Sequence, residues 1–218
     1  MRGVARKHNM AATFMAKPYG TRSGNGMHVH FSLIDKDGRN VFNNGTDEGS
    51  PMLRNAVAGM LSGMAESTLL FAPHANSFRR LRPDTHAPTS ISWGYENRTT
   101  AIRIPGGAPS ARRIEHRVAG ADANPYLVLA GVLGAALYGI ENELTPNDPV
   151  TTRAYSERLP KLPADWASAV NAFEDGAMIP QIFDERLQSL LVACKRQEIA
   201  GFAAIVTDLE YSTYLEVV

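Results

Sequence analysis

The segment Met27-His-Val-His-Phe-Ser-Leu-Ile34 decides the fold, because its apolar and polar side chains alternate. Such alternation with a period of two is typical of a β-strand that has one covered and one open face. The covered face receives four apolar residues and the open face two histidines and a serine: Met27, Val29, Phe31 and Leu33 on the first, His28, His30 and Ser32 on the second. The turn sequence Asp35-Lys-Asp-Gly38 predicts that the strand continues into a hairpin.

More strands are predicted on both sides of this segment. Residues 10–15 form a short apolar run, and residues 99–104 and 111–118 flank the turn sequence Pro105-Gly-Gly107. In the last of these strands Arg113, Glu115 and Arg117 share one face. Because the strands lie close together in sequence and are joined by hairpin-like turns, we expect an antiparallel, curved sheet.

The helices are predicted mainly in the second half of the chain. Ser50-Pro51 is a good helix start for a helix that runs to about Phe71, and Asp122 is expected to cap a helix from Ala123 to about Leu144. Two further helices are expected near residues 164–175 and 184–209, and the helices from Ala123 and from Asp184 should pack the core. The fold class is therefore α+β, with helices flanking the sheet, a strand-rich part of about residues 8–120 and a helical part of about 122–218.

The composition excludes some classes of partner. The 218 residues contain 22 basic and 22 acidic residues, so we expect neither a nucleic-acid nor a membrane partner from global charge. The single cysteine, Cys194, allows no intramolecular disulfide, and no apolar stretch has the length of a membrane span or signal segment. These features together predict a cytoplasmic protein.

Arginine is concentrated in one part of the chain. Eight arginines fall between Arg79 and Arg117, a stretch without lysine. The planar guanidinium group binds phosphate or carboxylate through two points, which lysine cannot do. An RNA-binding patch is the alternative interpretation, but these arginines lie in strand-like, half-apolar segments rather than in a helical stripe or a flexible tail.

Each candidate site has two interpretations when it is taken alone. His28 and His30, behind the loop that starts at Gly24, suit a metal or a phosphate, or else belong to a solvated face. Glu115 between two arginines forms either a structural ion-pair ladder or a site for a cation with anions. A cation shared by His28 and Glu115 beside phosphates would be Mg²⁺ or Mn²⁺. Arg80 and its neighbours either bind anions or hold the loop in place through hydrogen bonds to backbone carbonyl groups.

The blocks together resemble one family. Several short motifs occur in family order: Ala12-Thr-Phe-Met-Ala-Lys17-Pro18, Gly24-Asn-Gly-Met-His-Val-His-Phe-Ser-Leu33, Asn76-Ser-Phe-Arg-Arg-Leu81, Asn97-Arg98, Ile102-Arg-Ile-Pro105, Ala111-Arg-Arg-Ile-Glu-His-Arg117 and Asp122-Ala-Asn-Pro-Tyr126. This order resembles the catalytic domain of the glutamine synthetase family from about Lys7 to Leu144, and residues 211–218 resemble the end of the family's chain.

The resemblance implies ATP and Mg²⁺ or Mn²⁺ as cofactors. His28 and Glu115 match the family's ligands for the metal among the ATP phosphates. Four positions match nucleotide contacts: His30, Ser32, Arg103 and Arg113.

The resemblance also implies glutamate as a substrate, an amine as the second substrate, and a homo-oligomeric assembly. Gly24, Arg80 and Arg117 match the residues that bind glutamate, and Arg98 matches a catalytic arginine near the reacting phosphate. The implied reaction forms γ-glutamyl phosphate from ATP, and the amine then displaces phosphate.

The chain departs from the family pattern at two places. His86 stands where glutamine synthetase proper has a glutamate that helps to bind and deprotonate ammonium. The chain is therefore more similar to the γ-glutamylpolyamine synthetase branch, in which His86 would serve as a catalytic base for a larger primary amine, or would have no chemical role. The chain also has about half the family's length, without the front half that carries most carboxylate ligands.

Three functions are therefore open at this stage. The first is a ligase domain that is inactive as an isolated fragment, with glutamine synthesis from ammonia as its variant. The second is a non-catalytic remnant that binds nucleotide or assembles with a full-length relative, and the third is an RNA-binding module. For a ligase, replacing His28 or Glu115 by alanine is expected to weaken metal–nucleotide binding with little loss of stability.

Overall fold

A computed structural model describes residues 1–83 and 85–218. The helices are α1 (Arg2–Lys7), α2 (Pro51–Ser62), α3 (Thr68–Phe71), α4 (Ser77–Arg80), α5 (Pro125–Glu141), α6 (Trp166–Glu174), α7 (Ile179–Ile182), α8 (Glu185–Ala203) and α9 (Asp208–Tyr214). The strands are β1 (Val29–Phe31), β2 (Trp93–Tyr95), β3 (Ile102–Ile104) and β4 (Ile114–His116). Two short 3₁₀ helices cover Pro109–Ala111 and Ala154–Ser156.

The four strands form one sheet in the order β1-β4-β3-β2. The pairs β1–β4 and β4–β3 are antiparallel, as predicted, whereas β2–β3 is parallel. The α+β class with helices flanking the sheet is confirmed, and the purely antiparallel sheet is corrected to a mixed one. Strand β2 was not predicted, because its three residues, Trp93-Gly-Tyr95, show no alternating run.

The alternation of residues 27–34 is confirmed in the structure. Its apolar residues are half-buried and its polar residues are exposed in strict turn, and Gly38 closes the following turn with a positive φ of 77°. Residues 10–15, by contrast, do not form a strand. Met10 and Met15 are exposed, and no described strand pairs with this segment, so its backbone groups lack the partner that a strand needs.

The helix starts follow side-chain capping. The Ser50 hydroxyl accepts a hydrogen bond from the backbone N–H of Leu53, so α2 begins where it was predicted to begin. The predicted helix to Phe71 is divided in two, because α2 ends at Ser62 and a separate short helix, α3, covers Thr68–Phe71. Helix α5 starts later than predicted, because the Asn124 side chain caps it. Asp122 instead accepts a hydrogen bond of 2.6 Å from the Ser77 hydroxyl.

The core draws on residues of the sheet and of several helices, among them α2 and α5. These helices approach so closely that a Cβ on Gly59 would lie 2.1 Å from the carbonyl oxygen of Ala135, and one on Gly139 would lie 2.2 Å from that of Asn55. Only glycine fits at this crossing. The close contact fixes α2 and α5 against each other, whereas His28 and His30 are exposed on the sheet.

The last helices differ from the prediction in two ways. The predicted helix 184–209 is divided into α8 and α9, with Asp184 and Thr207 as their caps. Within α8 only Gln188 and Val192 are buried, so this helix packs against the core along a narrow stripe. Among the described residues, none of the helices has both the length and the apolar character that a bilayer crossing requires.

Candidate functional site

The open face of the sheet carries a row of polar side chains from three strands. In the register of the sheet, His30 of β1 stands opposite Glu115 of β4, and Glu115 stands opposite Arg103 of β3. Side chains at directly opposed positions project from the same face and lie within contact distance. The sheet therefore assembles one imidazole, one carboxylate and one guanidinium group in a single line.

Glu115 is the centre of this row. Its Oε1 atom lies 3.0 Å from His28 Nδ1 and 3.4 Å from His30 Nε2, and it accepts a hydrogen bond of 2.8 Å from Arg117 Nη1. Its Oε2 atom lies 2.5 Å from Arg103 Nε. Glu115 is 2% exposed, so this carboxylate is removed from bulk water and is neutralised by the surrounding cations.

The pKa values of the cluster follow from this arrangement. Burial tends to raise the pKa of Glu115, but Arg117, Arg103 and the two histidines outweigh it and hold the pKa below its ordinary value. Burial, aided by Arg117 and opposed by Glu115, lowers the pKa of His28. At neutral pH the carboxylate is ionised and the His28 imidazole is neutral, which is the state in which both can ligate a cation.

Arg80 and Gly24 lie together at one end of this face. A Cβ on Gly24 would lie 2.8 Å from the Ala16 carbonyl oxygen and 3.1 Å from Arg80 Cγ, and one on Gly26 would lie 2.8 Å from Arg80 Nη2. Arg80 is buried and donates a hydrogen bond of 2.8 Å to the Val118 carbonyl oxygen. The glycine loop thus wraps the arginine side chain, and the absence of side chains at Gly24 and Gly26 permits the close approach.

The remaining predicted residues differ in how closely they join the cluster. Arg113 Nε donates to His30 Nδ1 at 3.4 Å. Arg98 is exposed, and its carbonyl oxygen accepts a hydrogen bond of 3.0 Å from Arg117 Nη2. Ser32 is exposed on the same strand edge as His30. The structure therefore brings nine of the eleven predicted residues into one connected region: His28, His30, Arg103, Arg113, Glu115 and Arg117, with Arg98 at the rim and Gly24 and Arg80 at one end.

His86 stands apart from this region. It is exposed, and its φ of 62° is unusual for a residue with a side chain. Within the described part of the chain its side chain makes neither a hydrogen bond nor an ion pair. The structure places it on a loop that follows α4, and the preceding Thr85 hydroxyl donates to the carbonyl oxygens of Arg80 and Arg82 at 2.6 and 2.7 Å.

The residues that hold these loops in place were not predicted from the sequence. The Asn97 amide donates to the carbonyl oxygens of Val150 and Thr152, and the Tyr155 hydroxyl donates to the carbonyl oxygen of Ala87 at 3.1 Å. The connector between α5 and α6 therefore braces both the Arg98 turn and the loop of His86. No local sequence pattern predicts such contacts, because the partners are more than 50 residues apart in the chain.

A divalent cation fits this cluster only in part. Glu115 Oε2 lies 2.5 Å from Arg103 Nε, so a cation would share the carboxylate with that guanidinium group, and His28 lies 3.0 Å from the other oxygen, Oε1. Mg²⁺ takes six ligands, mostly oxygens. Among the described residues there is no group of three His, Cys, Asp or Glu side chains arranged to hold a metal. His28 and Glu115 could therefore supply two ligands, and the others must come from substrate oxygens, water or another polypeptide segment.

Comparison with known proteins places this geometry in a family context. The model of the glutamine synthetase catalytic domain matches residues 1–214. The chain is 40% identical over 216 residues to the gamma-glutamylputrescine synthetase PuuA of Escherichia coli, covering 99% of the chain and 46% of that protein. It is 36% identical over 226 residues to a glutamine synthetase of Halobacterium salinarum, covering 99% of the chain and 50% of that protein.

A solved structure shows the same fold. A ligand-free GmaS superimposes with a TM-score of 0.88 at 32% identity, over 99% of this chain and 50% of the other. The chain thus spans about half the length of the relatives that it matches.

Proposed function

This chain belongs to the glutamine synthetase family through its catalytic domain, and we propose that it forms part of a ligase that joins the γ-carboxylate of glutamate to an amine with ATP. In the first step a γ-carboxylate oxygen attacks the terminal phosphorus of ATP, which yields γ-glutamyl phosphate and ADP. In the second step the amine nitrogen attacks the acyl carbon, inorganic phosphate leaves, and the nitrogen loses a proton.

The main support for this proposal is the contact of His28 Nδ1 with Glu115 Oε1 at 3.0 Å, in a cluster that also contains guanidinium groups. ATP and glutamate are both anions, so a site that joins them needs cations to offset their repulsion and to stabilise the charge of the transition state. The proposed metal ligands are His28 and Glu115, and a divalent cation bound there would neutralise phosphate charge. The proposed nucleotide contacts are His30, Ser32, Arg103 and Arg113.

The proposed glutamate contacts lie at the other end of the cluster. Arg80 and Arg117 are proposed to supply guanidinium groups for carboxylates, and Gly24, which packs against Arg80, is proposed to contact glutamate through its backbone. Arg98 is proposed to act on the transferring phosphoryl group, because its backbone is tied to Arg117 while its side chain remains exposed. The two anionic substrates would thereby occupy different parts of the cluster, with ATP along the strands and glutamate beside the glycine loop.

We further propose a primary amine larger than ammonia as the acceptor. The support is the similarity to the gamma-glutamylputrescine synthetase of Escherichia coli, together with the position of His86 on a loop after Arg80. An imidazole can accept a proton near neutral pH and is a poor host for ammonium, so His86 is the proposed base. Glutamine synthesis from ammonia is the alternative, which the halobacterial relative favours.

The chain by itself is proposed to bind nucleotide without turning over. The described residues supply too few ligands for a metal centre, and the relatives are about twice as long. A remnant that binds nucleotide or assembles with a full-length relative is the alternative with the same binding behaviour. Adding a second polypeptide that supplies further metal ligands distinguishes the ligase domain from the remnant. With ATP, glutamate and putrescine, a ligase domain would then release phosphate, whereas a remnant would not.

The first test is calorimetric titration of the chain with ATP in the presence of Mn²⁺ or Mg²⁺. His28→Ala should weaken binding by about tenfold or more, equal to about 1.4 kcal/mol. His8→Ala is the matched control, since His8 is exposed in the terminal segment far from the sheet in sequence. Equal affinity in both variants, or tight salt-sensitive RNA binding without any ATP binding, would remove the basis of the proposal.

A further inference from the structure

A second concave surface lies on the outer side of α4. A cavity of about 440 Å³ is lined by Lys17, Asn76, Arg79, Arg82 and Thr85, among others. This volume falls within the range of small-molecule sites. Arg80 is excluded from it, because its guanidinium group points inward to the Val118 carbonyl oxygen. The chain segment 79–82 therefore presents one arginine to the sheet face and two to this cavity.

The described residues that line the cavity give it a positive charge. Lys17, Arg79 and Arg82 line it, and none of its described lining residues is acidic. Neither Arg79 nor Arg82 uses its side chain in a hydrogen bond or an ion pair with any described residue. Some arginines elsewhere in the molecule do have such partners, for example Arg103 with Glu115. Two guanidinium groups without a partner among the described residues share one concavity with the Lys17 ammonium group, which also donates to the Arg22 carbonyl oxygen. Such a group of cations is an anion-binding arrangement.

Hydrogen bonds between side chains and backbone groups hold the rim of the cavity in place. The Asn76 amide accepts from the Lys17 N–H at 2.7 Å and donates to the Lys17 carbonyl oxygen at 3.0 Å. The Thr85 hydroxyl contacts the carbonyl oxygen of Arg82 at 2.7 Å. The segments that carry the three cations are thus fixed relative to one another, which lowers the entropic cost of gathering them around a ligand.

We propose that this cavity, which we call the outer cation cavity, binds a doubly charged phosphate group of a small phosphorylated molecule. Three cationic groups match the charge and the several oxygens of a phosphate dianion better than a single carboxylate. The volume leaves room for an organic part beside the phosphate. This site is separate from the proposed nucleotide site and needs neither metal nor glutamate.

The test is calorimetric titration of the 218-residue chain, without metal or nucleotide, at constant ionic strength. The probes are inorganic phosphate, pyrophosphate and, as a dicarboxylate control, succinate. The double variant Arg79→Gln/Arg82→Gln should weaken phosphate binding by about tenfold or more, and succinate should bind more weakly than phosphate. Arg158→Gln should change nothing, since Arg158 is an exposed arginine outside the cavity.

A second control separates this cavity from the sheet face. Arg113→Gln alters the proposed nucleotide site and should leave phosphate affinity within twofold. If Arg113→Gln abolishes binding and the double variant keeps it, phosphate occupies the sheet face and the proposal is wrong. It is equally wrong if no probe binds, if all variants bind alike, or if succinate binds as tightly as phosphate. Because neither ATP nor metal is present, failure here leaves the ligase proposal untouched.

Discussion

Glu115→Gln tests how the cationic cluster is held together. The change keeps the shape of the side chain and removes its negative charge, so Arg103 and Arg117, which are 11% and 9% exposed at their side chains, lose their counter-ion. Breaking a buried ion pair in this way costs about 3–5 kcal/mol. The lower end applies here, about 3 kcal/mol, because Arg117 keeps its hydrogen bond to the Arg98 carbonyl oxygen and glutamine still offers one acceptor oxygen. This revises the expectation from sequence that Glu115 can be replaced with little loss of stability.

Urea unfolding followed by circular dichroism measures the effect. With a slope of about 2–3 kcal/mol per molar urea, a loss of about 3 kcal/mol lowers the midpoint by about 1–1.5 M. Glu174→Gln is the matched control, because it breaks an exposed ion pair with Arg196 and should cost less than about 1 kcal/mol. Equal midpoints for Glu115→Gln and Glu174→Gln would refute the argument that the buried arginines depend on Glu115.

The contribution of Glu115 to stability should also depend on pH, and Glu115→Gln should remove this dependence. The pKa of Glu115 is lower in the folded chain than its ordinary value of 4.5, so the unfolded chain binds the proton more readily between the two values. The stabilising contribution is complete above about pH 4.5 and disappears as the pH falls through the folded pKa. Unfolding curves of the wild-type chain should therefore lose this component below about pH 4.5, whereas the glutamine variant has none to lose.

Two further predictions concern the core. His116 is buried against Phe71, and burial lowers its pKa from 6.5 to about 3, so the unfolded chain binds its proton first and stability decreases as the pH falls below 6.5. The loss between pH 7 and pH 5 should be about 2 kcal/mol by urea unfolding, and a His116→Leu variant should lack it; an unchanged pH profile in that variant would contradict a buried neutral imidazole. Gly59→Ala should destabilise the contact of α2 with Gly139 by about 1–3 kcal/mol, seen as a lower melting temperature. Gly201→Ala, where a Cβ meets open space in α8, is its control and should raise stability by up to about 1 kcal/mol; a loss in both variants would point to glycine flexibility rather than to close packing.

The fold was predictable wherever a local pattern carries the physical signal. The alternation of residues 27–34, the turn at Gly38 and the cap at Ser50 were predicted from residue types alone, and all three are present. Failures occurred where a long-range partner decides the outcome. The apolar run at residues 10–15 has no strand to pair with among the described residues, and Asp122 bonds to Ser77 rather than capping a helix.

The sequence predicted which residues belong to the candidate site, but it did not predict their contacts with one another. Sequence order placed His28, Glu115 and Arg117 in one family pattern, but Arg117 and His28 are 89 positions apart. Nothing local shows that Glu115 accepts contacts from four cationic or imidazole groups, or that Tyr155 braces the loop of His86. Those contacts arise from strand register and from the path of the connector, which depend on how distant segments pack.

The sequence by itself determined which side chains share a face, because that property follows from the two-residue period of a strand and requires no partner. It also determined the surplus of arginine. Only the tertiary structure decided that the Glu115 carboxylate sits buried among those arginines, because pairing β1 and β3 on either side of β4 aligns residues that the chain keeps far apart. It likewise decided that Arg79 and Arg82 face away from Arg80, because burial of Arg80 behind the glycine loop leaves its neighbours on the outside.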